Sequence, residues 1–247
     1  MYERARHEVR ALSRLNEMNP MPRSFAFLLC ACLVMSAAFA ARADEGEFSI
    51  MADDGTPIAN HRVPAELESQ IEKLANVVVV ANPKGKVTLN EFYDLNCPYC
   101  RKASADIDEL VRANPNLRLV LVPFPVLGIP SILGARVEYA VARLATPAQF
   151  YKFHRLVYAG RGVIDDKRAF AAAQEIGLDM AKVQELASAD TFAKDMTAQV
   201  RLGDALGIQA TPGLVIKGVA IVGYPGKAAL SKVIASVERC GAVVCGN

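Results

Sequence analysis

The sequence predicts an α/β domain carrying an inserted α-helical subdomain, and three observations support this. A β-rich run from Val87 to Tyr93 passes straight into a helical pattern from Pro98, with Cys97 and Cys100 at the join. Roughly 75 residues, from about Pro130 to Leu206, then place apolar side chains at helical spacing with no strand signal. Strand character returns only after Thr211-Pro212, in two short runs followed by a last helix.

The chain has 247 residues, 52% of them hydrophobic, enough to bury a full core. Residues 1–43 hold six of the 28 basic residues and three of the 26 acidic ones, so the remainder carries a net charge near −1. That balance gives no reason to expect nucleic acid as a partner. Residues 1–43 read as a signal peptide with an upstream extension. Phe25 to Ala40 is apolar apart from Ser36, follows Arg23, and leads to Ala41-Arg42-Ala43, a small-x-small cleavage pattern. A membrane anchor generally needs about 20 apolar residues, so this run is short for one. Export to the periplasm, where disulfides persist, is the expectation. Cleavage would remove Cys30 and Cys32, leaving Cys97 with Cys100 and Cys240 with Cys245.

Residues 44–75 are expected to form a leader and a short helix. Asp44 to Asn60 is largely polar, with Gly46, Gly55 and Pro57, and reads as loose chain; Pro64 to Ala75 spaces Leu67, Ile71 and Leu74 for one apolar face. The main domain spans 76–240. Val77 to Val80 is its first strand, Asn82 to Gly85 a turn, and Val87 to Tyr93 a mostly buried strand. From Pro98 the period changes: Ala103, Ile107, Leu110 and Val111 fall on one helical face and Arg101, Lys102, Asp106 and Asp108 on the other. Leu117 to Val122 follows as a strand, and the strand–helix–strand order implies parallel pairing. In the insert, Gly160, Gly162, Gly177 and Gly207 separate helical stretches. Gly213 to Lys217 and Val219 to Gly223 form a hairpin, Lys227 to Arg239 the last helix, and 241–247 a tail.

The chemistry sits at the first strand–helix join. Pro98 occupies a first helical position, which needs no amide hydrogen, and this puts Cys97 at the helix's N-terminal end. Free amides and aligned peptide dipoles favour negative charge there. Thiols so placed have pKa values of roughly 3.5 to 7.5, against about 8.5 for a free cysteine, which suits thiol–disulfide exchange. Cys100, one turn on, can close a disulfide with Cys97. The competing readings of the pair are a structural disulfide or, with Cys240 and Cys245, a zinc site. A non-enzymatic copper- or zinc-binding thiol protein is the alternative from another functional class.

The Cys97-Pro98-Tyr99-Cys100 motif, the long helical insert, and Ala210-Thr211-Pro212 ahead of a hairpin and helix resemble the DsbA family of exported thiol–disulfide oxidoreductases, and within it the ScsC-like subgroup. The resemblance covers roughly residues 76–240 and implies a thioredoxin fold. It further implies that Cys97 is the exposed attacking cysteine and Cys100 its buried partner, with Pro98 and Tyr99 tuning the redox potential. Thr211-Pro212 matches the family's cis-proline loop, where residue 211 would offer backbone to an extended substrate. Glu91 matches an acidic residue of the family's strand, either a buried proton relay for Cys100 or a solvent-facing side chain. Reduced or unfolded exported proteins are the implied substrates. A membrane redox partner is implied too, either a quinone-linked oxidase or a thiol reductase, and no cofactor. Net oxidation is the favoured direction and isomerisation or reduction the alternative. Of the remaining residues, Asp94 reads as a turn or surface group, His154 as a packed histidine among Phe150, Phe153 and Tyr158, and Cys240 with Cys245 as a structural disulfide pinning the tail.

Overall fold

The computed structural model describes residues 46–246, so the signal-peptide reading lies outside the described residues. Six strands form one mixed sheet in the order β1-β6-β5-β3-β4-β2. They are β1 (Asn60–Arg62), β2 (Val78–Ala81), β3 (Val87–Tyr93), β4 (Leu117–Pro123), β5 (Gly213–Ile216) and β6 (Val219–Val222). Helix α2 (Pro98–Ala113) connects β3 to β4, which pair in parallel over seven residues from Val87 opposite Leu117 to Tyr93 opposite Pro123. All the other pairings are antiparallel. Five helices fill the insert between β4 and β5: α3 (Ile129–Leu144), α4 (Pro147–Ala159), α5 (Asp166–Glu175), α6 (Met180–Ala187) and α7 (Thr191–Ala205). Helix α8 (Lys227–Cys240) closes the fold.

The period of two along β3 sorts its side chains between two apolar layers. Leu89 and Tyr93 enter the larger layer with Ile107 of α2, Val137 and Val141 of α3, Phe153 of α4 and Leu230 of α8. Phe92 enters the smaller one, on the opposite face, with Val120, Val122, Leu202 and Ile208. Glu91, between Leu89 and Tyr93 in the alternation, therefore faces the larger core and the cysteine-bearing helix.

The N-terminal stretch corrects two expectations. The segment read as loose leader is folded: Ile50 and Ile58 are buried in the larger core, and Asn60 opens β1, which extends the sheet along β6. The buried Asn60 side chain accepts from the Phe48 amide and donates to the Phe48 and Ile58 carbonyls, and these bonds tie the segment before β1 back onto the strand. Asp53 accepts from the amides of Ala228 and Ala229 and so caps α8, whose own cap position, Gly226, has no side chain to do it. The helix read over Pro64–Ala75 is only α1 (Ala65–Glu68) and a 3₁₀ turn at Ile71–Lys73, since an isolated helix this short gains little from its own hydrogen bonds. At the other end, Gly241 ends α8 in the left-handed conformation, and Cys240 and Cys245 form a disulfide with Cα atoms 6.0 Å apart. Among the described residues no helix is long and apolar enough to cross a membrane.

Candidate active site

Strand β3 ends at Tyr93, and the chain turns through Asp94, Leu95 and Asn96 before α2 begins. The Cys97 amide donates to the Asp94 carbonyl at 3.1 Å, which closes the turn and leaves Cys97 as the N-cap of α2 with Pro98 as its first helical residue. The Cys97 sulfur accepts from the Cys100 amide at 3.3 Å, as a capping side chain would. Across the groove, the cis Thr211–Pro212 peptide leads into β5, and the Thr211 carbonyl accepts from the Cys97 thiol at 3.0 Å. The motif and the loop, 114 residues apart in sequence, therefore meet at one sulfur.

That contact alters one expectation from the family resemblance. Cys97 is only 4% exposed, because the proline loop lies over it, and is not an open thiol; Cys100 is fully buried, while Tyr99 between them is 65% exposed. Both cysteines are free thiols here. The Cys97 pKa is lowered to about 6, first by a hydrogen bond from the Cys100 side chain and then by the Thr211 side chain and the Cys100 and Tyr99 amides, against an opposing desolvation. Burial pushes the Cys100 thiol far up, and its bond to Cys97 and the nearby Glu91 push the same way. One sulfur of the pair is thus suited to carry negative charge and the other to keep its proton.

Glu91 is buried at 1% exposure, which sets aside the solvent-facing alternative. Neither carboxyl oxygen has a hydrogen-bond partner. Burial, and secondarily the charge of Cys97, raises its pKa to about 8. A carboxyl that is neutral near pH 7, lies on the cysteine side of β3 and is unengaged by other groups can exchange a proton with a thiol. His154 is packed as expected. It stands edge-on to Tyr93 and Tyr158 at ring-centroid distances of 4.6 and 5.0 Å, and burial lowers its pKa to about 3. Cys240 and Cys245 bond to each other and are not gathered with Cys97 and Cys100 as the four-cysteine zinc site would require. Among the described residues no group of three or more His, Cys, Asp or Glu is arranged to hold a metal ion.

Three polar groups around the site escaped the sequence reading. Asp94, expected in a turn or at the surface, is in the turn but is buried at 1% exposure, because its carboxylate accepts four hydrogen bonds from Asn96, Val126, Leu127 and Ser131. Asn96 bonds Ser131 and both backbone groups of Ile164. Glu138 of α3 is buried and accepts from the Tyr93 hydroxyl at 2.6 Å, and burial raises its pKa to about 8. Its signal was available: Glu138 lies three residues from both Ala135 and Val141, on the apolar stripe of its helix. The segments bonded to Asp94 and Asn96 leave several large apolar side chains in water, with Ile129 at 73% exposure after Val126 and Leu127 in one and Val163 in the other.

Residues 74–236 match the family described as Thioredoxin. The fold is similar to that of a thioredoxin-like oxidoreductase from Silicibacter pomeroyi DSS-3, with 31% identity, a TM-score of 0.62, and coverage of 70% of this chain and 96% of that one. The thiol-disulfide exchange protein alpha-DsbA2 from Wolbachia pipientis aligns at 22% identity and a TM-score of 0.63 over 70% of this chain and 92% of that one. The catalytic domain of ScsC from Proteus mirabilis aligns at 21% identity and a TM-score of 0.60 over 69% and 95%. Among curated proteins, 132 residues are 25% identical to the Na(+)/H(+) antiporter NhaA 1 of Salinispora arenicola, of which the match spans about a fifth of the length.

Proposed function

Because the chain belongs to the thioredoxin family and shares its fold with DsbA-type and ScsC proteins, we propose that it is a thiol–disulfide oxidoreductase that introduces disulfides into exported proteins through Cys97 and Cys100. The observation that supports exchange through this pair best is the asymmetry of the two sulfurs, with Cys97 held near pKa 6 and Cys100 pushed far up. In the oxidised protein a substrate thiolate attacks the Cys97 sulfur. The Cys97–Cys100 bond breaks, its electron pair leaves with Cys100, and a mixed disulfide forms. Cys100 takes up a proton, which Glu91 can deliver. A second substrate cysteine, as thiolate, then attacks the substrate sulfur of the mixed disulfide, and Cys97 departs as a stabilised thiolate. The substrate loses two electrons and gains a disulfide; the protein is left as a dithiol.

The Thr211 backbone beside Cys97 supports a role in holding an extended substrate strand, and the apolar side chains around the site favour unfolded segments over folded surfaces. The site of action is the periplasm, reached through the N-terminal signal. A membrane redox partner, a quinone-linked oxidase in this direction, restores the disulfide.

Cys97 bears on how strongly oxidising the pair is. Its pKa near 6 falls between thioredoxin's roughly 7 and DsbA's roughly 3.5, so its potential should fall between their values of about −270 and about −120 mV. That intermediate position also supports a second reading, disulfide isomerase or reductase served by a thiol reductase. Equilibration with glutathione buffers followed by gel-shift alkylation measures the potential; the chain has no Trp, so fluorescence quenching is no substitute. A potential in the upper half of that range, with oxidation of a reduced test protein and no unscrambling of a mispaired one, supports the oxidase. A potential near thioredoxin's with unscrambling activity replaces it with the second reading, and undiminished exchange by Cys97→Ser removes both.

A further inference from the structure

The apolar side chains beside the cysteines are held in place by Asp94. Its Oδ2 accepts from the amides of Val126 and Leu127 at 2.8 and 2.9 Å, in the middle of the segment joining β4 to α3. Its Oδ1 accepts from the Ser131 hydroxyl at 2.6 Å, in the first turn of α3, and from the Asn96 amide at 2.7 Å. Asn96 continues the set: its amide nitrogen donates to Ser131 Oγ and to the Ile164 carbonyl, and its Oδ1 accepts from the Ile164 amide. Arg101 of α2 completes the tie by donating to the carbonyls of Tyr158, Gly160 and Gly162.

Two chain segments that carry exposed apolar groups are therefore bonded to residues within a few positions of Cys97. One bears Val126, Leu127 and Ile129, the other Val163. A loop with so much of its side-chain surface in water gains little from hydrophobic burial, and its position must come from polar ties. Gly128, at a φ of +109°, lets the first segment turn sharply into α3. Asp94 thus does something the thiol chemistry does not require of it. Its carboxylate touches neither sulfur, yet it accepts from both the segment before α3 and the first turn of α3 itself.

We propose that Asp94 is a positioning residue for substrate affinity: through Val126, Leu127 and Ser131 it fixes an apolar rim beside the cysteine pair that receives apolar side chains flanking a substrate cysteine. This inference rests on the thiol-exchange reading and adds the residue that sets the substrate-facing rim in place. The Asp94 site is built for an acceptor. All four partners are donors, so Asp94→Asn turns an amide nitrogen toward N–H or O–H groups and breaks bonds on one side of the carboxylate while nearly conserving volume.

The test compares two reactions of the same protein, oxidation of a reduced, unfolded polypeptide with apolar residues beside its cysteines, and exchange with glutathione, which is too small to span the rim. For Asp94→Asn, the ratio of polypeptide kcat/KM to the glutathione rate should fall roughly tenfold, mostly through KM, as expected when a few side chains must be ordered on binding. The alkylation midpoint of Cys97 should stay near 6. The double substitution Leu127→Ser with Ile129→Ser should reproduce the loss, because it removes the surface that Asp94 places. If Asp94→Asn does not fold, Ser131→Ala, which removes one of the four donors, replaces it, with a fall of about threefold in the same ratio. An unchanged ratio overturns the proposal, as does a Cys97 midpoint that moves while KM does not, since Asp94 would then act on the sulfur. Failure of the unsubstituted protein to exchange with glutathione would overturn the thiol-exchange reading itself, a result separate from any of these.

Discussion

Glu91 is the residue at which sequence and structure bear most directly on the chemistry. Its pKa rises from 4.5 to about 8 on folding, so the folded state binds the proton more tightly than the unfolded one. The resulting penalty is absent below pH 4.5 and grows as pH rises through neutrality to about 8, where the buried carboxyl ionises. At pH 7 it amounts to about 3 kcal/mol. Glu91→Gln removes the titration, so the variant should gain stability over the parent progressively between pH 5 and pH 8, measured by urea unfolding of the reduced proteins across that range. Parallel pH profiles would show that Glu91 is not held neutral. The same variant should slow oxidation of substrate near neutral pH, since Cys100 loses the buried carboxyl whose charge acts on it. Cys97, Pro98, Tyr99 and Cys100 were legible from spacing alone because a proline at the first helical position fixes where the thiol sits. Asp94 was not, since an aspartate beside a turn has the same local pattern whether its carboxylate faces water or four donors, three of which arrive from 32 to 37 residues away.

Among the elements, the strands β3 and β4, helix α2, the insert and the final hairpin all followed from apolar periodicity, and the parallel pairing followed from the helix between the strands. Strand β1 did not. Three residues, Asn-His-Arg, carry no β-rich signature, and they become a strand only because β6 presents an open edge and Asn60 bonds back to Phe48 and Ile58. Asn60→Ala strips three hydrogen bonds at a buried position and leaves two carbonyls and one amide without their side-chain partner. The expected cost is about 2–4 kcal/mol, read from the shift in denaturation midpoint, with exchange activity at low denaturant kept because β1 lies at the far edge of the sheet from β3. A loss under 0.5 kcal/mol would return the segment to the status of loose leader. Asp53 belongs to the same account, because a cap supplied to α8 from 175 residues earlier in the chain leaves no local signal at Gly226.

For the whole molecule, the low pKa of Cys97 links its redox state to its stability. A thiol lowered from 9.0 to about 6 contributes stability to the reduced fold that is fully present above pH 9 and is lost as pH falls through about 6; the disulfide form has no such contribution. The melting temperature of the reduced protein relative to the oxidised one should therefore rise between pH 6 and pH 8, and calorimetry of both forms at the two pH values checks the slope. A difference independent of pH would mean that Cys97 titrates as an ordinary thiol. The exposed rim at Val126, Leu127 and Ile129 has another consequence at this scale. A sticky face set beside the reacting sulfurs can meet its own image on another molecule, and such a pairing, symmetric about a two-fold axis, would shut both mouths at once. Crowding the protein with itself would then dilute its effect, so turnover per molecule should fall as its own concentration rises.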